Sequence, residues 1–176
     1  QKAGAKAGFD VENSHTLLID NERVSSTRIR QCLADNDLVM ARQLLGRPYT
    51  LCGRVAHGKK LGRDLGFPTI NLKMGSRPIA AHGIFAVLVK GIDNRILRGV
   101  ASIGTRPTVN GIGTWLEVYI LNFAEQIYGR CVDVELLHKI RDEEKFDSLQ
   151  ALIARIEQDI DAAKAFFEHH FNTTRA

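Results

Sequence analysis

Several kinds of chemistry are excluded by what this sequence lacks. It has only three cysteines, Cys32, Cys52 and Cys131, far apart and without a C-x-x-C pair. That rules out a disulfide scaffold or zinc knuckle and predicts reduced, buried thiols in a cytoplasmic protein. The six histidines show no metal-ligand spacing, and the adjacent His169 and His170 fall near a helix end, where a cation suits the dipole. No apolar run is long enough to span a bilayer. No signal-peptide pattern opens the chain, so no membrane partner is expected. The net charge of +4 suits a small anion as well as a polynucleotide, and no nucleic-acid partner is expected. An initiating Met is also missing, so Gln1 is expected to begin a fragment of a longer chain. What remains is 176 residues, 44% hydrophobic and 25% charged, enough for one core or one domain with an appendage.

The most informative stretch runs from Gly53 to Leu72, where glycines and cations precede Pro68-Thr69-x-Asn71. Glycines let a backbone approach a ligand closely, and exposed N–H groups beside Lys59, Lys60 and Arg63 suit phosphate oxygens. In an extended strand Thr69 and Asn71 share a face, so both oxygens can meet one small cation, such as Mg²⁺ shared with a phosphate. The segment approaches a P-loop, but Lys60 stands where Ser or Thr should hold the metal. Gly62, Gly66 and Pro68 are also expected to forbid a helix there. A glycine-rich hairpin loop on a basic surface is the bland alternative.

Before this stretch the chain reads as helical. A helix over Gln1–Ala7, a short strand at Phe9–Val11 and a turn at Asp20–Glu22 lead to a helix capped by Ser25, Ser26 or Thr27. Asp35-Asn36-Asp37 interrupts, and a second helix stops at Gly46. Beyond Pro48 the helical period gives way to strands at Tyr49–Ala56, Ile84–Lys90, Ile96–Ile103, Leu116–Phe123 and Cys131–His138. Gly91–Arg95 links two of them as a hairpin. Gly104 and Pro107 are expected to break the third into a loop. Strands with no alternating helices predict an antiparallel barrel or sandwich. After a charged loop, Asp147–Gln150 reads as a capping box. Leu149, Leu152, Ile153, Ile156, Ile160, Ala163, Phe167 and Phe171 then define one long amphipathic helix with its stripe expected in the core.

One acid is out of place. Asp133 and Glu135 alternate with Val132, Val134 and Leu136 and read as solvent-facing. Glu117 instead shares a strand face with Trp115, Tyr119 and Leu121. A carboxylate on an apolar face is either a buried partner for a cation or a base strengthened by desolvation. Arg141 and Phe146 offer a guanidinium and a ring that could flank a flat heterocycle. A small barrel binding single-stranded nucleic acid is the rival from another class, though it gives no reason for Pro68-Thr69-x-Asn71.

Gly53-x-Val55-x-His57-Gly58, Gly62-Arg63 and Gly66-Phe67-Pro68-Thr69-x-Asn71-Leu72, followed by Leu116-Glu117-Val118-x-x-Leu121-x-Phe123 and Tyr128-Gly129, resemble riboflavin kinase. That family is the C-terminal module of bacterial bifunctional FAD synthetases. The resemblance extends from about Gly46 to about Phe171. It implies a mainly β fold, a small antiparallel Greek-key barrel with a long C-terminal helix packed on it. It implies ATP-dependent phosphorylation of the riboflavin 5′-hydroxyl, giving FMN and ADP. Gly58 and Arg63 would hold phosphates with Lys59 and Lys60 nearby, and Thr69 and Asn71 would ligate Mg²⁺. Glu117 would be the catalytic base, Ile120 and Tyr128 would contact the adenosine, and Arg141 and Phe146 would border the flavin. Asn122 stands where the family often has Asp, which puts an ionic bond to the ribose or a lysine in doubt. A flavin-binding remnant without catalysis is a further alternative.

Ser25-Ser26-Thr27-x-Ile29-Arg30 resembles the phosphate-contacting box of the nucleotidyltransferase half of FAD synthetases. That half completes its ATP site with a His-x-Gly-His motif, which this sequence does not contain. Residues 1–46 are therefore expected to be a remnant of an adenylyltransferase domain, residues 47–176 the kinase domain, and conversion of FMN to FAD absent. A monomer or weak homo-oligomer is expected.

Overall fold

The computed structural model describes residues 2–12, 16–58, 61–75, 79–108 and 111–172. Helix α1 spans Lys2–Ala7. The strand expected at Phe9–Val11 is not formed: Gly8 turns with φ 76° and the Phe9 amide donates back to the Gly4 carbonyl at 3.1 Å. A two-residue hairpin follows instead, β1 Leu18–Ile19 against β2 Glu22–Arg23. Asp20 and Asn21 both take positive φ at its turn, as a primed turn requires.

Helix α2, Ser26–Ala34, is capped by Ser25, whose Oγ accepts from the Arg28 amide at 3.2 Å. Helix α3, Leu38–Leu45, starts at Asp37, which accepts from the Met40 amide, and ends at left-handed Gly46. Leu33 of α2 and Ala41 of α3 belong to the same buried cluster as the strands that follow. Packing is thus continuous across residue 46.

Six strands form a closed antiparallel barrel: β3 Thr50–Ala56, β4 Thr69–Lys73, β5 Gly83–Ile92, β6 Arg95–Thr108, β7 Gly111–Ile120 and β8 Cys131–Arg141. Their order around the barrel is β3-β4-β7-β6-β5-β8. Three consecutive strands, β5 to β7, lie side by side, and β8 returns beside β5, which is a Greek key. Phe85, Val87, Ala101, Leu116, Val118, Val132 and Val134 fill the interior at alternating positions.

Several local expectations need correction. β6 is not broken at Gly104 or Pro107, because its ladder with β7 runs on to Thr108 opposite Gly111. Gly104 serves packing instead: the Glu143 carboxylate occupies the space a Cβ would need. A one-turn helix, α4 Leu61–Asp64, forms despite the glycines: Gly62 lies within it and Gly66 turns the chain after its end. Gly66, at φ 88°, donates to Arg63 O, and Phe67 N donates to Gly62 O at 2.7 Å. Glu135 is buried, not solvent-facing, and accepts a hydrogen bond from Lys90 Nζ at 2.6 Å. The thiols are free but not all buried, since Cys52 and Cys131 occupy outward positions on β3 and β8. A hydrogen bond from Cys52 to the neighbouring Asp133 carboxylate, assisted by desolvation, pushes its pKa up.

The last element is α5, Leu149–Asn172. Its cap is Ser148, one residue later than the expected box places it, with Oγ accepting from the Ala151 amide at 3.1 Å. Ala163 and Phe167 pack on Ala86, Leu88 and Val100, on the outside of the barrel. The helix therefore lies on the barrel wall, and its N-terminal half overhangs the open outer face of β4, β7 and β6.

Candidate active site

The barrel interior is filled with side chains, so a ligand has to bind outside it. On β4 the inward positions are taken by Ile70 and Leu72, which leaves Thr69 and Asn71 outward. Strand register sets Asn71 opposite Glu117 and Thr69 opposite Tyr119 on β7. Ser102 on β6 is opposite Glu117 from the other side. Asn71, Glu117 and Ser102 thus form one row across three strands, with opposite Cβ atoms about 5 Å apart in such ladders.

This row forms one wall of a cleft of about 330 Å³. Phe67, Tyr119 and Val100 continue that wall, Leu152, Ile156 and Ile160 of α5 face it, and Arg141 and Phe146 line it as well. The apolar face expected around Glu117 is only half right. Trp115 and Tyr119 flank it along the strand, but its cross-strand neighbours are polar, and the residue is half-buried.

The glycine loop fits closely over this row. A Cβ on Gly58 would lie 2.5 Å from the Asn71 amide carbon, and one on Gly62 would lie 2.5 Å from the Phe67 carbonyl oxygen. These glycines therefore let the loop backbone settle onto Thr69 and Asn71. The Asn71 Nδ2 donates to the Thr69 carbonyl at 3.3 Å, which leaves Oδ1 as its acceptor for a ligand.

Around the corner of the barrel, Gly58, Arg63, Thr69, Asn71 and Tyr128 surround a small hollow. Arg63 donates to the Tyr128 hydroxyl at 3.4 Å, and the Tyr128 ring stacks on His57 with centroids 4.0 Å apart. A second hollow of about 240 Å³ adjoins, lined by Thr69, Ile120, Phe123 and Tyr128 among others. Ile120 is chiefly a core residue, 3% exposed. Asn122 is exposed and lines neither this hollow nor the cleft. Its φ of 55° explains its identity, because Asn tolerates the left-handed turn leaving β7. Lys59 and Lys60 lie outside the described residues.

At the far end of the cleft, Arg141 ends β8. Its Nε donates to Asp159 Oδ1 at 2.8 Å, one terminal nitrogen to Oδ2 at 2.7 Å and the other to the Asp142 carbonyl at 2.8 Å. The guanidinium also lies 5.7 Å from the Phe146 ring centroid. Burial pulls its pKa down, but the hydrogen-bonded Asp159 carboxylate, with Glu144 and Glu143 nearby, outweighs this and holds it above the ordinary arginine value. Arg141 thus lines the cleft beside Phe146 with most of its donors already committed to Asp159 and the Asp142 carbonyl.

Sequence reasoning missed Asp159 and the part of α5 that lines the cleft. The helix stripe was expected to be core throughout, yet Leu152 and Ile156 are only half-buried and face the cleft, and Leu149 is 48% exposed. A signal for Asp159 was present, since it is an acid immediately before Ile160 on the packed face and is 4% exposed.

A family model described as "Flavokinase: Riboflavin kinase" matches residues 45–167. The chain belongs to the riboflavin kinase family. Its relatives include proteins described as bifunctional riboflavin kinase/FMN adenylyltransferase. The Haemophilus influenzae protein is 47% identical over 95% of this chain and 54% of its own length. The Escherichia coli K12 protein is 47% identical over 95% and 53%, and the Pseudomonas fluorescens protein 46% over 94% and 53%. The chain thus spans about half the length of the curated relatives it matches. Among solved structures, a Streptococcus pneumoniae protein described as a macrolide-efflux protein superposes with a TM-score of 0.74 at 36% identity, covering 85% of this chain and 49% of that one. Riboflavin kinases are transferases, and the closed barrel with its helix is a riboflavin kinase domain. Among the described residues, no helix is long and apolar enough to cross a membrane, and no group of three or more His, Cys, Asp or Glu side chains could hold a metal.

Proposed function

We propose that this chain transfers the terminal phosphoryl group of ATP to the 5′-hydroxyl of riboflavin, giving FMN and ADP. The observation that carries the reading is the row of Asn71 and Glu117 across paired strands, with Thr69 beside it, facing a cleft with an aromatic and aliphatic wall. Phosphoryl transfer is mainly positioning and charge stabilisation. Glu117 accepts the proton of the riboflavin hydroxyl as its oxygen forms the new P–O bond. The bond from that phosphorus to the ADP oxygen breaks, and ADP leaves with the electron pair.

Gly58, Lys59, Lys60 and Arg63 hold the phosphates, while Tyr128 and Ile120, which line the second hollow, contact the adenosine. Phe67, Tyr119 and Phe146 hold the flavin ring, with Arg141 beside it. The donor chemistry fits Mg²⁺, because Thr69 Oγ1 and Asn71 Oδ1 are hard oxygens on one face and leave coordination positions for phosphate and water. When bound with ATP, Mg²⁺ supplies neutralisation of phosphate charge.

Residues 1–46 fit best as a segment of the nucleotidyltransferase part of a longer protein, which accords with relatives twice as long and a family match starting at residue 45. The partners on this reading are riboflavin, FMN, ATP and ADP in the cytoplasm, for a monomer or weak homo-oligomer, with no nucleic acid and no membrane. The test is incubation with riboflavin and Mg·ATP, separating flavins by chromatography. FMN without FAD is expected. Riboflavin left unphosphorylated by folded protein defeats the proposal.

A further inference from the structure

Asp159 is a buried acid that the chemistry above does not use. It lies on the cleft side of α5 next to Ile160 and close to Ile156, where an unpaired carboxylate would be costly. Both of its oxygens accept from Arg141, at 2.8 and 2.7 Å, a planar fork that fixes the guanidinium in one orientation. The pair is part of a ring of four charges. Arg155 Nε lies 3.7 Å from Asp159 and 2.9 Å from Glu144, and Glu144 lies 3.5 Å from Arg141. This ring ties the end of β8, the loop before α5 and α5 itself into one unit. Phe146 sits in that loop, with its ring over the Arg141 guanidinium.

We infer that Asp159 is a positioning residue for the flavin: it locks the Arg141 guanidinium in the plane on which Phe146 rests, and so sets the width of the slot that receives the flat ring. The inference rests on the riboflavin reading of the cleft and concerns affinity for that ligand alone. The nucleotide hollow, which shares none of these residues, is untouched. Asp159 also pairs the charge that Arg141 brings to the cleft wall.

The experiment measures riboflavin binding by quenching of flavin fluorescence and ADP binding by calorimetry, on wild type, Asp159→Asn, Asp159→Glu, Arg141→Met and the Arg141→Met/Asp159→Asn double variant. Asp159→Asn is expected to weaken riboflavin binding about tenfold or more, with ADP within about twofold of wild type. Asp159→Glu should recover part of that loss, because it keeps the charge. In the Arg141→Met background the Asn substitution should add little, since Asp159 acts through Arg141. Wild-type riboflavin affinity in folded Asp159→Asn overturns the inference. So does a parallel loss of both ligands, which marks a merely structural residue. If Asp159→Asn does not fold, the Glu variant decides by the same two affinities. A wild-type chain that binds ADP but no riboflavin refutes the flavin reading itself, an outcome distinct from a failure of Asp159 alone.

Discussion

At one end of the cleft, Thr69, Asn71 and Glu117 meet because two neighbouring strands hold them in register. At the other, Arg141 meets Phe146 and Asp159 because a loop and a helix fold back over the barrel. The first end is braced by the ladder hydrogen bonds of a closed sheet, with Ile70, Leu116 and Val118 packed beneath it. The second is held by ion pairs and one helix cap on the barrel's outer surface. On the proposed reading, the chemistry that needs fixed distances uses side chains held by paired strands, and recognition of the bulky ring uses side chains brought together by a loop and a helix.

If this division is right, substitutions at the two ends should fail in different ways. The largest effect is expected from Glu117→Gln, which should reduce FMN formation about 10²- to 10⁴-fold with ADP and riboflavin affinities close to wild type. Unchanged turnover removes Glu117 from the chemistry, and a matching loss of riboflavin affinity would erase the distinction between the ends.

Next in size, Asn71→Ala or Thr69→Ala should raise the Mg²⁺ concentration for half-maximal rate about tenfold, measured by titrating Mg²⁺ at fixed ATP. Gly58→Ala should act in the same direction through Asn71, since a Cβ there would sit 2.5–2.6 Å from the amide atoms. A Mg²⁺ requirement like that of wild type in all three would take this end out of the metal site.

Ser148→Ala tests the loop-and-helix end. Losing the cap of α5 should cost about 1 kcal/mol in urea unfolding. It should weaken riboflavin more than ADP, because the capping residue ends the loop that carries Phe146. Equal weakening of both ligands would mean that the loop serves the whole site.

The smallest effect concerns pH. A hydrogen bond from Lys139, reinforced by its charge, holds the Asp142 carboxyl below the ordinary aspartate range. A carboxylate depressed in the folded state contributes stability above its unfolded pKa and loses it as pH falls through the folded value. Asp142→Asn should therefore flatten the loss of stability below about pH 4. Acid unfolding curves identical to wild type would show that this exposed pair contributes nothing to the loop.

The paired-strand end was the more legible one in the sequence. Thr69-x-Asn71 needs only the two-residue period of a strand to share a face, and the odd parity of Glu117 marks it against Leu116 and Val118. The barrel was legible for the same reason, as runs of Val, Ile and Leu punctuated by turns. Asn122 shows how a residue type can mislead: its backbone conformation selects it, and it lies outside both clefts. Glu135 reads as a surface residue by alternation, yet it is buried and paired with Lys90. The cleft-facing side of α5 was hidden because an apolar stripe looks the same whether it meets protein or ligand.

Local pattern by itself determined five of the six barrel strands in outline, the two capped helices before them and the long helix after them, and the shared face of Thr69 and Asn71, because each follows from repeat period or backbone freedom over a few residues. Only the tertiary structure decided that the site lies on the outside of the barrel, that Asn71 stands opposite Glu117, and that Asp159 claims Arg141. Those contacts join segments 18 to 46 residues apart. Which distant side chains meet is fixed by strand register and helix docking, and these are properties of the whole packed core.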